Sequence, residues 1–162
     1  MPGVTLRALQ SSDRPAVEAW LSAYLTDHLT WWTHAYGQAP VSDVAALVAR
    51  DWQELSEAAA GGERLVVVAE QDGELLGIVR AGTRTDRYMG FRIGVLEWIY
   101  VGAAARGRGV SGHLMTHALA WMDTQDVQGR EVFVTAENGA AVALYRRYGF
   151  RTVDFRMLAP RS

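Results

Sequence analysis

The spacing of apolar positions changes several times along the chain, and each change marks an element. Residues 4–9 alternate apolar and polar side chains like a short strand. Ser11, Ser12 and Asp13 then offer helix caps ahead of Pro15, a residue suited to a first helical turn, and a helix is predicted to about Leu25. Residues 26–42 mix His28, Trp31, Trp32, His34, Tyr36, Gly37 and Pro40 without a clean period and read as a broken helix or loop. A second helix is predicted from a cap at Ser42 or Asp43 to Ala60, ended by Gly61 and Gly62. The β-branched run in 64–70, the turn at Gln71-Asp72-Gly73 and a strand over 74–82 make a β-hairpin. Another strand is predicted over 92–101, followed by a glycine-rich turn. From Val110 to Met122 the period is helical, and a strand over 131–135 completes a β-α-β unit. Asn138 caps a last helix with the apolar stripe Ala141, Leu144, Tyr145 and Tyr148. Gly149 closes it, and a final strand is predicted over 150–158.

Helices interleaved with strands in this order predict an α/β fold: one mixed, mostly antiparallel sheet flanked by helices on both faces. With no repeat or linker, residues 1–162 are expected to form a single domain, and the 49% apolar content is enough for its core. A formal net charge of -2 provides no general attraction to nucleic acid or an anionic membrane, so a small molecule is the expected partner. No apolar run approaches the roughly 18 residues of a membrane span and the first residues do not resemble a secretory signal, which makes the cytoplasm the expected location. The absence of cysteine removes disulfides, thiolate zinc sites and any cysteine-bound acyl intermediate. His113 and His117 are four apart, but Leu114 stands where a zinc-protease helix needs glutamate, and no metal is expected.

The segment Arg106-Gly107-Arg108-Gly109-Val110-Ser111-Gly112 lies between a predicted strand and a predicted helix. A glycine-rich turn entering a helix lets unpaired N–H groups converge on an anion such as a pyrophosphate, with the helix dipole adding positive potential. The same residues fit a tight turn with two exposed arginines, and Gly107, Gly109 and Gly112 also satisfy the dinucleotide pattern G-x-G-x-x-G. A dinucleotide fold, however, places its first glycine directly after the first strand, among repeated β-α units. Here Gly102 to Arg106 intervene and a largely helical half precedes the motif.

Arg106 to Ser111 resembles the Q/R-x-x-G-x-G/A signature of the GNAT superfamily of N-acetyltransferases, with Ser111 in the final small position. The segment from Asn138 through Ala141, Leu144 and Tyr145 to Gly149 and Phe150 resembles that superfamily's N-x-x-A-x-x-L-Y-x-x-x-G-F motif at every signature position. The resemblance implies an acyl-coenzyme-A-dependent N-acyltransferase, with acetyl-CoA or another short acyl-CoA as cofactor. It also implies central strands that splay, so that the backbone of Trp98, Ile99, Tyr100 and Val101 meets the pantetheine arm, with Asn138 and Tyr145 approaching the cofactor as well. The amine would attack the thioester directly in a ternary complex.

Tyr145 is the candidate general acid for the departing thiolate, since a phenol holds its proton at neutral pH; the same residue also suits a helix core. Glu97 is the candidate base for the protonated amine, or a carboxylate that only binds it. By strand alternation it is expected to share a face with Ile99 and Val101, opposite Leu96, Trp98 and Tyr100. The resemblance places His28, Trp31, Trp32, His34 and Tyr36 in a wall of the acceptor pocket; packing or a dimer contact would explain them too. Tyr88, Met89 and Phe91 could close that pocket or meet a second subunit, a homodimer being an open option. The expected acceptor is a small-molecule amine or a peptide N-terminus. A catalytically silent CoA-binding sensor or scaffold of the same fold is the alternative, and the presence of both Tyr145 and Glu97 argues against it.

Overall fold

β1 (Thr5–Ala8), β2 (Leu65–Gln71), β3 (Glu74–Thr85), β4 (Arg92–Val101) and β5 (Gly129–Val132) lie side by side in chain order in one sheet. The computed structural model describes residues 3–161. The first four strands pair antiparallel, and β5 joins β4 in parallel after a crossover through helix α3 (Val110–Asp123). This is the mixed, mostly antiparallel sheet that the sequence pattern predicts.

The β-branched run of β2 explains why both faces of the sheet are covered. Val66 and Val68, with Ile78, pack under Val17 and Leu21 of α1 (Arg14–Tyr36) and Trp52 and Leu55 of α2 (Val44–Gly61). Val67 and Ala69 point the other way, with Val79, Ala81 and Leu96, against Leu114, Met115, Ala118 and Met122 of α3 and Leu144 and Tyr145 of α4 (Gly139–Arg147). Three arginine contacts fix where α1 starts. Arg7 of β1 donates to both oxygens of buried Asp13 at 2.8 Å and to Glu70 of β2 at 2.6 Å, while the Gln10 N–H donates to Asp13 at 2.8 Å. The Arg7 hydrogen bonds hold the Asp13 carboxyl below its ordinary range.

Three expectations need correction. The segment 26–42 is a loop only from Gly37 onward: α1 continues unbroken to Tyr36 and ends at left-handed Gly37. Its polar residues are satisfied within the helix, since Thr26 and Thr30 donate to the carbonyls four residues back and His28 Nδ1 lies 2.9 Å from the Tyr24 carbonyl, while Leu25 and His28 continue the buried face. β5 forms at Gly129–Val132, earlier than 131–135. Gln128 exchanges two hydrogen bonds with Arg92, of 2.9 and 3.0 Å, and so starts the parallel pairing at once. The last predicted strand, 150–158, does not form. Beyond Phe150 the chain runs exposed to the end of α1, where Arg156 donates to the Tyr36 hydroxyl at 3.0 Å, and this path keeps it off every strand of its own sheet.

Candidate active site

The site begins with an irregularity in β4. Leu96 pairs with Ala81 and Trp98 with Arg80, so Glu97 is an extra residue with no partner on β3, a β-bulge. The bulge corrects the expected alternation. Leu96 packs with Ile99 and Val101 on the α3/α4 side, and Trp98 and Tyr100 pack on the α1/α2 side. Glu97 Oε1 accepts from Arg64 Nε at 3.1 Å. Arg80 Nε stands 2.5 Å from Oε2, a charge contact without hydrogen-bond alignment. A cavity of about 360 Å³ opens beside the two arginines, lined also by Glu54, Glu57 and Glu63. Gly82 makes room for this arrangement, because a Cβ there would come 2.8 Å from Glu97 Oε1.

The pairing of β4 with β5 stops at Leu96 and Val132. From Glu97 to Val101, the side of β4 that faces β5 is therefore open, and the sheet is splayed. Beyond the opening, Gly107 and Gly109 take φ of 75° and 81°, a conformation that favours glycine, and turn the chain into α3. Among the described residues, the N–H groups of 107–111 meet no acceptor, whereas those of Gly112 and His113 bond to the Gly109 carbonyl. Arg106 ties the turn to β4: it donates to the Val101 carbonyl and the Tyr100 hydroxyl, both at 3.3 Å, with its guanidinium over the Tyr100 ring. Arg108 donates to Gln71 in the β2–β3 hairpin at 2.7 Å. The turn thus carries free amides between two arginines that tie it to β4 and to the β2–β3 hairpin.

α4 supplies the phenol. Asn138 accepts the Ala141 N–H at 3.2 Å and caps the helix, while Tyr148 donates to the Gly112 carbonyl at 3.2 Å and fastens it to α3. Tyr145 is buried against Phe150, and its hydroxyl has no hydrogen-bond partner among the described residues. Burial, reinforced by the Tyr24 phenol, pushes its pKa up to about 12.

On the other face a row of aromatic rings joins α1 to β4. Trp20 lies 6.1 Å from Tyr100, Tyr100 6.0 Å from Trp98, Trp98 5.8 Å from Tyr24, and Tyr24 3.9 Å from His28, whose ring also meets Trp31 and Trp32. The indole N–H of Trp98 is buried there without an acceptor among the described residues. His28, Trp31 and Trp32 are thus brought to β4, but through Trp20 and Tyr24, which the sequence reading did not single out. The spacing 20, 24, 28, 32 on one helix was the signal, hidden once that helix was broken at residue 26. Tyr88 is not drawn in: it stands 88% exposed at the tip of the β3–β4 hairpin, outside the row.

A mixed sheet splayed at a bulged strand, with a glycine turn leading into a helix beyond the opening, defines the acetyltransferase class of α/β folds. Residues 10–150 match the family described as the acetyltransferase (GNAT) family, and the chain belongs to that family. Over 85 residues it is 35% identical to mycothiol acetyltransferase of Streptomyces avermitilis; the match takes in 52% of this chain and 26% of the relative. The chain thus spans about a quarter of the length of that relative. A putative acetyl transferase from Pyrococcus furiosus has the same fold, with a TM-score of 0.73 at 21% identity over 98% of this chain and 99% of that one. An aminoglycoside N-acetyltransferase in complex with CoA has a TM-score of 0.66 at 18% identity, over 98% and 94% of the two chains. No helix of the described residues is long and apolar enough to cross a membrane.

Proposed function

We propose that this chain is an acyl-CoA-dependent N-acetyltransferase that transfers a small acyl group, acetyl first of all, to a primary amine. The observation that carries this reading is the coincidence of the open side of β4 with the unpaired N–H groups of 107–111. These amides, the N-terminal end of α3 and Arg106 and Arg108 suit a pyrophosphate. The backbone of Trp98, Ile99, Tyr100 and Val101 suits an extended amide chain added as a strand, and a free N–H there would meet the carbonyl oxygen as charge develops on it. When bound, the acyl-CoA supplies an activated thioester.

Tyr145 then protonates or hydrogen-bonds the departing sulfur, because its phenol is neutral and uncommitted at physiological pH. Glu97 takes the proton of the acceptor ammonium through water. Each of its oxygens faces one guanidinium, and a carboxylate oxygen with two lone pairs has one left for water. The acceptor amine lies along the aromatic row, whose rings attract a cation. A small-molecule amine or a peptide N-terminus fits this description. The aminoglycoside N-acetyltransferase of the same fold is consistent with an amine.

The test is CoA release from acetyl-CoA, followed as free thiol across a panel of primary amines; a chain without cysteine adds no background. Acceptor-dependent release is expected, with Tyr145→Phe lowering kcat about 100-fold, the lower end of general-acid contributions, and Glu97→Gln lowering it most at neutral and acidic pH. Tight acetyl-CoA binding without turnover on any amine would make the chain a silent CoA-binding module. No binding at all would overturn the reading.

A further inference from the structure

A second phenol reaches the opening of the sheet from the side opposite Tyr145 and takes no part in the steps above. Tyr24 stands on α1, which covers one face of the sheet, whereas α4 with Tyr145 covers the other. The Tyr24 ring is fixed from two directions. His28 lies 3.9 Å away with its Nδ1 tied to the Tyr24 carbonyl, and Trp98 meets the ring at 5.8 Å in an edge-on contact. Trp98 belongs to β4 beyond Leu96, where pairing with β5 has ended, so Tyr24 is held beside the open part of the strand. Its hydroxyl has no hydrogen-bond partner among the described residues.

Side chains that cover opposite faces of a closed sheet are held apart by its backbone. Tyr24 and Tyr145 nevertheless act on each other: after burial, a charge on Tyr24 is what raises the Tyr145 phenol. Burial, and then the Asp51 carboxylate of α2, raises Tyr24 itself, so both phenols keep their protons at neutral pH. Asp51, Tyr24 and Tyr145 mark a path from α2, past α1, to the open part of β4. The middle of that path is a neutral phenol whose oxygen has lone pairs to offer.

We propose that Tyr24 orients the acceptor, its hydroxyl oxygen accepting an N–H of the incoming primary amine and holding the nitrogen beside the open part of β4, opposite Tyr145. This rests on the transferase reading and divides the reaction between the two phenols: Tyr24 holds the attacking nitrogen, and Tyr145 meets the departing sulfur. A primary ammonium group has the protons that this needs. One leaves to Glu97 through water, one is held by Tyr24, and the lone pair so freed is aimed by that hydrogen bond.

Tyr24→Phe tests it, because the ring and its contacts with His28 and Trp98 remain and only the hydroxyl is lost. With a primary amine that wild type acetylates, kcat/KM for the amine should fall about 10-fold, the lower end for a hydrogen bond to a charged group. Isothermal titration should show CoA affinity unchanged and, for the same amine added to the CoA complex, a weaker Kd. Urea unfolding should give the wild-type midpoint, which a residue that only packs would lower. An unchanged kcat/KM, with wild type active, overturns the role of Tyr24 and leaves the transferase reading standing. A matching loss of CoA affinity or of stability overturns it too, since Tyr24 would then serve the cofactor or the core. A wild type that neither acetylates any primary amine nor binds one beside CoA overturns both.

Discussion

On the α3/α4 side of the sheet the groups that would meet a ligand are mainly backbone: the unpaired amides of 107–111 and the open side of β4. On the α1/α2 side they are side chains, a row of rings from Trp20 to Trp32 and the carboxylate of Glu97 between two arginines. A backbone site needs glycine at particular turns and a cap at a particular helix, requirements that leave the same short motifs wherever the chemistry recurs. A side-chain site can be lined in many ways. One face therefore carries the short motifs legible in the sequence, and the other carries none.

The strongest way to break the comparison is to loosen one face from the sheet. Asp13→Asn removes the carboxylate that ties the start of α1 to β1 and β2, and about 3 kcal/mol of stability should be lost, in the range for breaking a buried ion pair. The linkage has a definite sign: because the folded carboxyl titrates low, its contribution is complete above pH ~4, the unfolded value, and fades as pH falls through the lowered folded value. Urea unfolding of wild type and variant across that range should show the two curves converging in acid. Equal loss at every pH would mean that Asp13 acts through packing alone.

A smaller effect isolates the cofactor face. Gly109→Val places a β-branched residue at φ 81° and should weaken CoA binding about 10-fold, as a left-handed strain of ~1–2 kcal/mol implies. The acceptor KM should stay unchanged. Trp32→Ala is the converse: a ring 40% exposed at the end of the row should raise the acceptor KM roughly 5-fold, for an aromatic contact of about 1 kcal/mol, with CoA affinity untouched. Isothermal titration with CoA and steady-state kinetics with an active amine separate the two. If either variant moved both constants, the faces would be coupled.

The least change is expected from alkali. With the phenol pushed up to about 12, Tyr145 stays protonated in the folded protein where an unfolded tyrosine ionises, near pH 10. Stability from keeping it neutral is lost between about 10 and 12, and kcat should show no fall from its ionisation below pH ~10. An alkaline limb below that pH, present in wild type and missing in Tyr145→Phe, would contradict this burial.

Most elements were legible because their signals are local. The cap at Asn138, the turn at Gln71-Asp72-Gly73 and the helical stripe from Val110 to Met122 each lie within a few residues of what they control. The misreadings have distant causes. α1 runs through 26–36 because Leu25 and His28 find cover and its threonines bond backward. Glu97 turns away from Ile99 because β3 has no partner for it, a fact of register that alternation within one strand cannot contain.

By itself, then, the sequence determined the class of fold, the glycine turn and the phenol on the last helix, since spacing and backbone geometry are properties of short segments. Only the tertiary structure decided where the sheet opens, which face Glu97 joins, which rings stand beside Trp98, and that residues 151–158 are left without a strand to pair with. Each of those depends on the partner across a strand or between a helix and the sheet, and a partner far along the chain leaves no local mark.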